Sequence, residues 1–253
     1  MSDRRAMMLP LLVLGCLLTT NPHGAQAQAG LTLFAVRGHQ DYAAWMAAAG
    51  WADLRPFSRS ARRFRFEGDA LRLESRGDSY LIGTTFPPAE RRPIADFPYL
   101  RFVVRIGAVP EGARLMGEVR DDAAFRLYAG FADDPPRSLV YVWSWDLPVG
   151  AWSPRAKHLW GDFRDVRRKA FGQGVPPAGW LTVEVNLLQD FREQFPHLPP
   201  PPLRGLALKS DSNHTPDGHS LAWLREVTLH RESLREQGLE EGAALGDTTL
   251  WYR

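Results

Sequence analysis

From Arg62 onward, apolar and polar side chains alternate with a period of two in short runs broken by Gly, Pro and Asp, which is the signature of β-strands. Phe64 and Phe66 alternate with Arg63, Arg65 and Glu67; Gly68-Asp69 turns the chain; Leu71 and Leu73 then alternate with Arg72, Glu74 and Arg76. These two runs form a hairpin. Further strands are expected over Ser79–Thr84, Tyr99–Ile106, Asp122–Phe131, Ser138–Trp145, Leu181–Asn186, Arg204–Ser210 and Ala222–His230, nine in all. With no amphipathic helices between them, they predict an all-β fold, an antiparallel β-sandwich of jelly-roll type.

Helical patterns are few. Asp41 ahead of Tyr42–Ala49, stopped by Gly50, reads as a capped short helix, and Leu187–Phe195 as another, ended by Pro196. Pro199–Pro202 lacks amide donors and suits an extended crossing between strands. The expected organisation is a signal segment over 1–27, an N-terminal segment with its helix packed on the sandwich over 28–61, the sandwich over 62–230, and a helical or frayed tail over 231–253 in which Trp251 and Tyr252 tuck back.

The first segment changes the picture of where the protein works. Arg4 and Arg5, the apolar run Ala6–Leu18 and the small-residue site Ala25-Gln26-Ala27 read as a secretory signal cleaved after Ala27, placing the mature chain in the periplasm or outside the cell. The run, at about 13 residues, is too short for a comfortable membrane span, so the mature chain is expected to have none. Val13-Leu14-Gly15-Cys16 offers a competing lipoprotein reading in which Cys16 is acylated, although the apolar run continues past it. Cys16 is the single cysteine, so the processed protein has no disulfide, no thiolate nucleophile and no cysteine metal ligand.

At 253 residues, with 44% hydrophobic content and nine tryptophans, the chain can bury a sizeable core without disulfides. Its 31 basic and 29 acidic residues leave a net charge of +2, which argues against nucleic acid as a partner. No G-x-S-x-G elbow, Gly-rich phosphate loop or H-E-x-x-H is present, and no cofactor is expected.

The candidate chemistry lies in Asp121–Tyr128 and Leu139–Trp145. If Ala132–Arg137 is a symmetric hairpin loop, Tyr128 lies opposite Tyr141, Arg126 opposite Trp143 and Ala124 opposite Trp145, all on one face; Phe125, Leu127, Ala129, Val140 and Val142 then face the core. Aromatic rings, a guanidinium and Asp122 on one surface are the groups that grip a sugar, so the expected partner is a glycan or cell-envelope polymer. The plainer reading is that these are ordinary strand residues on an outer face, or beneath the Asp41 helix. A hydrolase or lyase reading needs two of Asp122, Asp190 and Asp211 to converge; Asp121 and Asp122, as strand neighbours, are expected to point to opposite faces. Asp211–His219 is a polar loop whose spacing matches no metal motif, and no metal site is expected; Asn213-His214-Thr215 fits a glycosylation acceptor pattern.

The order of Gly50-Trp51, Asp121-Asp122 with Arg126 and Tyr128, Tyr141-Val142-Trp143-Ser144, Asp190-Phe191, and Asp211-Ser212-Asn213 before a strand containing Glu226-Val227 resembles the bacterial exported proteins grouped as domain of unknown function 3047. The resemblance spans Trp51–His230 and departs at Asn213, where a second aspartate is usual. It implies a β-sandwich and export, and no activity.

Overall fold

The computed structural model describes residues 30–36, 38, 41–55, 59–116, 120–132, 136–153, 165–245 and 247–252. The segment 1–27 read as a secretory signal, Cys16 within it, and Asp133–Pro135 lie outside these. In chain order the elements are β1 (Leu31–Ala35), α1 (Tyr42–Ala48), β2 (Ala52–Asp53), β3 (Arg65–Glu67), β4 (Ala70–Arg76), β5 (Ser79–Thr85), β6 (Arg92–Pro93) and β7 (Tyr99–Ala108). There follow β8 (Ala123–Phe131), β9 (Arg137–Ser144), β10 (Asp165–Gln173), β11 (Trp180–Asn186), α2 (Leu187–Gln194), β12 (Pro202–Asp211), β13 (His219–His230), β14 (Ala244–Leu245) and β15 (Thr248–Tyr252).

These strands form two sheets of a β-sandwich. One runs β14-β15-β11-β7-β13-β4-β3, with β1 also on β13; the other runs β10-β9-β8-β12-β5-β2, with β6 on β12. Below they are called the β13 sheet and the β8 sheet. Pairing is antiparallel except for β9 with β10 and β11 with β15. The strands β1, β10, β14 and β15 carry no clear alternation against a turn signal, and each takes its place at a sheet margin or beside a longer strand that supplies the register.

The core is the apolar phase of both sheets. Leu71 and Leu73, Leu100, Phe102 and Val104, Leu181, Val183 and Val185, and Ala222, Leu224 and Val227 come from the β13 sheet; Phe125, Leu127 and Ala129, Leu139, Tyr141 and Trp143, and Leu206 and Leu208 come from the β8 sheet. At one end the interior turns polar: Ser210 Oγ lies 3.1 Å from the hydroxyls of both Ser75 and Ser220, joining the sheets through hydroxyl hydrogen bonds. The Asp41 side chain accepts from the amides of Ala43 and Ala44, so α1 starts where its cap requires. Its Trp45 stacks on Trp51 at 5.7 Å and meets Phe34 edge-on at 5.6 Å, covering the margin of the sandwich next to β1.

Candidate functional site

The central hairpin is one residue out of the expected register. Phe125 pairs with Trp143, Arg126 with Val142, Leu127 with Tyr141 and Tyr128 with Val140. Because side chains alternate along a strand, a slip of one residue turns each side chain of β9 to the opposite face relative to β8. Tyr141 and Trp143 therefore point into the core, at 0% and 1% exposure, and do not share a surface with Arg126 and Tyr128. Val140 and Val142 take the outer face instead, in a small apolar cluster with Leu115, Leu147 and Ala170. Ala124 sits in the core, and Trp145 lies half-buried beyond the end of β9, opposite no residue of β8.

What gathers beside Arg126 on the outer face of the β8 sheet is a cluster of charges. Lys209 of β12 pairs with Arg126 across the ladder, and Asp211, two residues on, turns to the same side. The Asp211 carboxylate accepts from Lys209 Nζ and lies 3.2 Å from Arg126 Nη2. Arg126 also donates to the carbonyl of Asp121. Asp121 receives Arg168 Nη1 of β10 at 3.1 Å, and His214 Nδ1 stands 3.2 Å from its other oxygen. Arg126, Arg168, Lys209 and Asp211 are buried, whereas Asp121 and His214 reach solvent.

The charges set one another's ionisation. Burial pushes the Asp211 carboxyl up, but Lys209 and Arg126 outweigh it and hold the group well below its usual range. For Asp121, burial is outweighed by Arg126, helped by Lys209 and Arg168, and its pKa is also depressed. Arg126, opposed by burial, is pushed up chiefly by Asp211. Arg168 is pushed down, by burial and then by Arg126.

Asp121 and Asp122 do not diverge as strand neighbours would, because β8 begins only at Ala123. Ligand atoms of Asp121, Asp122 and His214 all lie within 4.8 Å of one another. Asp122 is fully buried and accepts the backbone amides of His214 and Thr215 at 3.0 and 2.7 Å, tying the loop after β12 to the start of β8. The three groups could offer oxygen and nitrogen to a divalent ion. Internal partners already occupy them: Arg168 on Asp121, backbone amides on Asp122.

Asp190 is elsewhere. It projects from α2 to the core side of the β8 sheet, where Tyr141 Oη donates to it at 2.9 Å and Lys169 Nζ at 2.5 Å. Burial raises its pKa despite Lys169. The sheet itself thus separates Asp190 from Asp211, so these two do not form a carboxylate pair. A separate groove of about 830 Å³ runs between β1, α1 and the end of β5, walled by Phe34, Trp45, Trp51 and Phe86 with Glu90 and Arg92 at its margin, away from all the expected site residues.

Sequence reading singled out Asp122, Arg126, Tyr128 and Asp211, which the fold places around this cluster or at its edge. It passed over Arg168, Lys209 and His214 as site residues. Lys209 could have been flagged, since it ends the apolar run Leu206-Ala207-Leu208 inside the strand. Arg168 could not, because nothing local marks β10 as a strand parallel to β9.

Among curated proteins none matches the chain. A solved structure, a meso-active thermo-stable cellulase derived from the Cel12A cellulase of Rhodothermus marinus, is similar at 12% identity over 62% of this chain and 75% of that one, with a TM-score of 0.35. Residues 63–228 match the family described as protein of unknown function (DUF3047), and the chain belongs to that family.

Proposed function

We propose that this is an exported, non-catalytic domain that binds a carbohydrate or other cell-envelope polymer at the outer face of the β8 sheet. The observation that carries the reading is the mounting of Asp121. A solvent-reaching carboxylate is fixed by Arg168 at 3.1 Å and His214 at 3.2 Å, with the buried Arg126–Asp211–Lys209 set behind it. Such a surface presents donors and acceptors in set positions to hydroxyl groups, with little left to order on binding. Tyr128, half-buried beside Arg126, supplies a ring face at the edge.

Catalysis by a carboxylate pair fits less well. A hydrolase needs one carboxylic acid kept protonated beside one kept ionised. Asp121 and Asp211 are both held ionised, and the carboxyls whose pKa is raised on balance among the described residues, Asp190 and Glu184, sit on the core side of this sheet and on the other sheet. Export is supported by Arg4, Arg5, the run Ala6–Leu18 and Ala25-Gln26-Ala27.

The test is an amide chemical-shift titration of the mature chain with a panel of neutral and acidic oligosaccharides. Shifts clustered at residues 120–128 and 211–215, weakened about tenfold or more in His214→Ala and Tyr128→Ala, are expected. A panel that moves no resonance there, or the appearance of shortened sugar products, overturns the reading.

A further inference from the structure

The outer face of the opposite sheet carries an aromatic and guanidinium surface of the kind expected beside Trp143. In the β13 sheet, Trp223 pairs with Arg105 on one side and with Arg72 on the other. Arg105 lies between two indoles, 4.0 Å from the Trp223 ring centre and 5.1 Å from that of Trp180. Arg225 covers Trp180 in turn at 3.9 Å. The order across the face is therefore Arg225, Trp180, Arg105, Trp223. Trp223 can lean over its neighbour because residue 107 is glycine; a Cβ there would come within 2.6 Å of the ring.

The arginines of this face differ in their partners. Arg72 has Glu74 at 2.6 Å, Arg101 has Glu184 at 2.6 Å, and Arg225 has Asp247 at 2.7 Å and Asp69 at 2.9 Å. Arg105 has no carboxylate within 4.0 Å among the described residues, and its buried Nε has no hydrogen-bond partner there. Glu226, on the same face, is displaced by the bulge in β13 between Leu224 and Glu226. A guanidinium whose flat faces are taken by indoles keeps its N–H edge for an oxyanion, since carboxylates and sulfates both present two oxygens that a pair of N–H groups can meet in a bidentate way. The half-buried Trp223, at the end of that order, supplies apolar surface for the C–H face of a sugar ring, while Trp180 holds Arg105 and Arg225 in place.

We propose that this face is a second binding surface, on which Arg105 takes the acidic group of an acidic polysaccharide and Trp223 takes the sugar ring beside it. The proposal stands independently of the β8-sheet reading, since it rests on other residues on the other side of the molecule.

The experiment titrates the mature protein with polygalacturonate, dextran sulfate and neutral dextran, following tryptophan fluorescence and amide shifts, at low and at high salt. Binding of one or both acidic polymers, with shifts confined to β7, β11 and β13 and weakening as salt rises, is the expected result; which acid binds tells carboxylate from sulfate. Arg105→Gln should lower that affinity about tenfold or more, and Arg105→Lys, which keeps the charge and loses the fork, should lower it less. The exposed Val175→Ser serves as a control and should leave affinity unchanged. Far-UV circular dichroism checks that each variant is folded; should Arg105→Gln unfold, the Arg105→Lys comparison and the shift map decide. The proposal is overturned by no binding of either acidic polymer, by equal binding of neutral dextran, by Arg105 variants that are folded and bind undiminished, or by shifts confined to residues 120–128 and 211–215. That last outcome would leave the β8-sheet reading standing alone, whereas shifts on β7, β11 and β13 only would do the reverse.

Discussion

Trp143 faces Phe125 across the β8–β9 ladder and closes over Gly172, where a Cβ would come within 2.1 Å of its ring. Its indole N–H donates to the carbonyl of Gly174 at 3.0 Å. The largest fully buried side chain of the β8 sheet thus pins the hairpin to the bulged edge strand β10. Trp143→Ala should cost about 3–5 kcal/mol, the range for removing a buried aromatic ring. Gly172→Ala should also destabilise, since backbone or ring must move. Urea unfolding of both variants checks this; a Trp143→Ala protein as stable as the parent would mean that the ring is not packed as described.

Asp211 is the shared anion of two buried cations. Asp211→Asn leaves Lys209 and Arg126 without it and should cost about 3–5 kcal/mol, the usual effect of breaking a buried ion pair from one side. Replacing Lys209 as well, by methionine, should recover part of the loss, because one stranded charge goes with it. A double-mutant cycle by chemical denaturation measures the coupling.

Tyr141 reaches Asp190 from inside the core at 2.9 Å. Tyr141→Phe keeps the ring and deletes the hydroxyl, leaving a buried carboxylate oxygen with one partner fewer, and should cost about 1–3 kcal/mol. No change in stability would show that solvent replaces the hydroxyl and that Asp190 is less enclosed than its burial implies.

His230 gives the protein a defined acid sensitivity. Burial, and then the nearby Arg101, push its pKa down to about 4 from an ordinary value of 6.5. The unfolded chain therefore takes up the proton first. The resulting stability is present in full above about pH 6.5 and is lost as pH falls through that value towards about 4. His230→Gln should flatten the difference in unfolding free energy between pH 7 and pH 4 relative to the parent. Curves that stay parallel across that window would exclude His230 as the source.

Asp41 caps α1 through the amides of Ala43 and Ala44, at 2.9 and 3.1 Å. Asp41→Ala should cost about 1 kcal/mol, read as a small fall in the denaturation midpoint, while Asp41→Ser should be nearly neutral.

What could be read along the chain was whatever depends on near neighbours. Alternation of Phe64 and Phe66 or of Leu71 and Leu73 specifies which side chains of a strand share a face, and Asp41 ahead of an alanine-rich run specifies a helix start. Enough such strands without intervening helices leave a sandwich as the fold. Which face of β9 is the inner one was legible only with the register. In the observed register Gly130 faces Ser138, where a symmetric Ala132–Arg137 loop puts Phe131 there, and that one-residue offset turns Tyr141 and Trp143 into the core. Both phases of β9 are apolar or aromatic, and alternation by itself gives no preference between them.

By itself, then, the sequence determined the β-rich class, the separate strands, the capped helix and the absence of cysteine chemistry after residue 16, because each follows from local periodicity or from composition. Tertiary structure alone decided that Asp121, Arg168, Lys209, Asp211 and His214 meet, and that Arg105 lies between Trp180 and Trp223. Those groupings join strands far apart in the chain, and cross-strand pairing is settled by how two whole sheets bury their apolar faces against each other, which no short stretch of residues encodes.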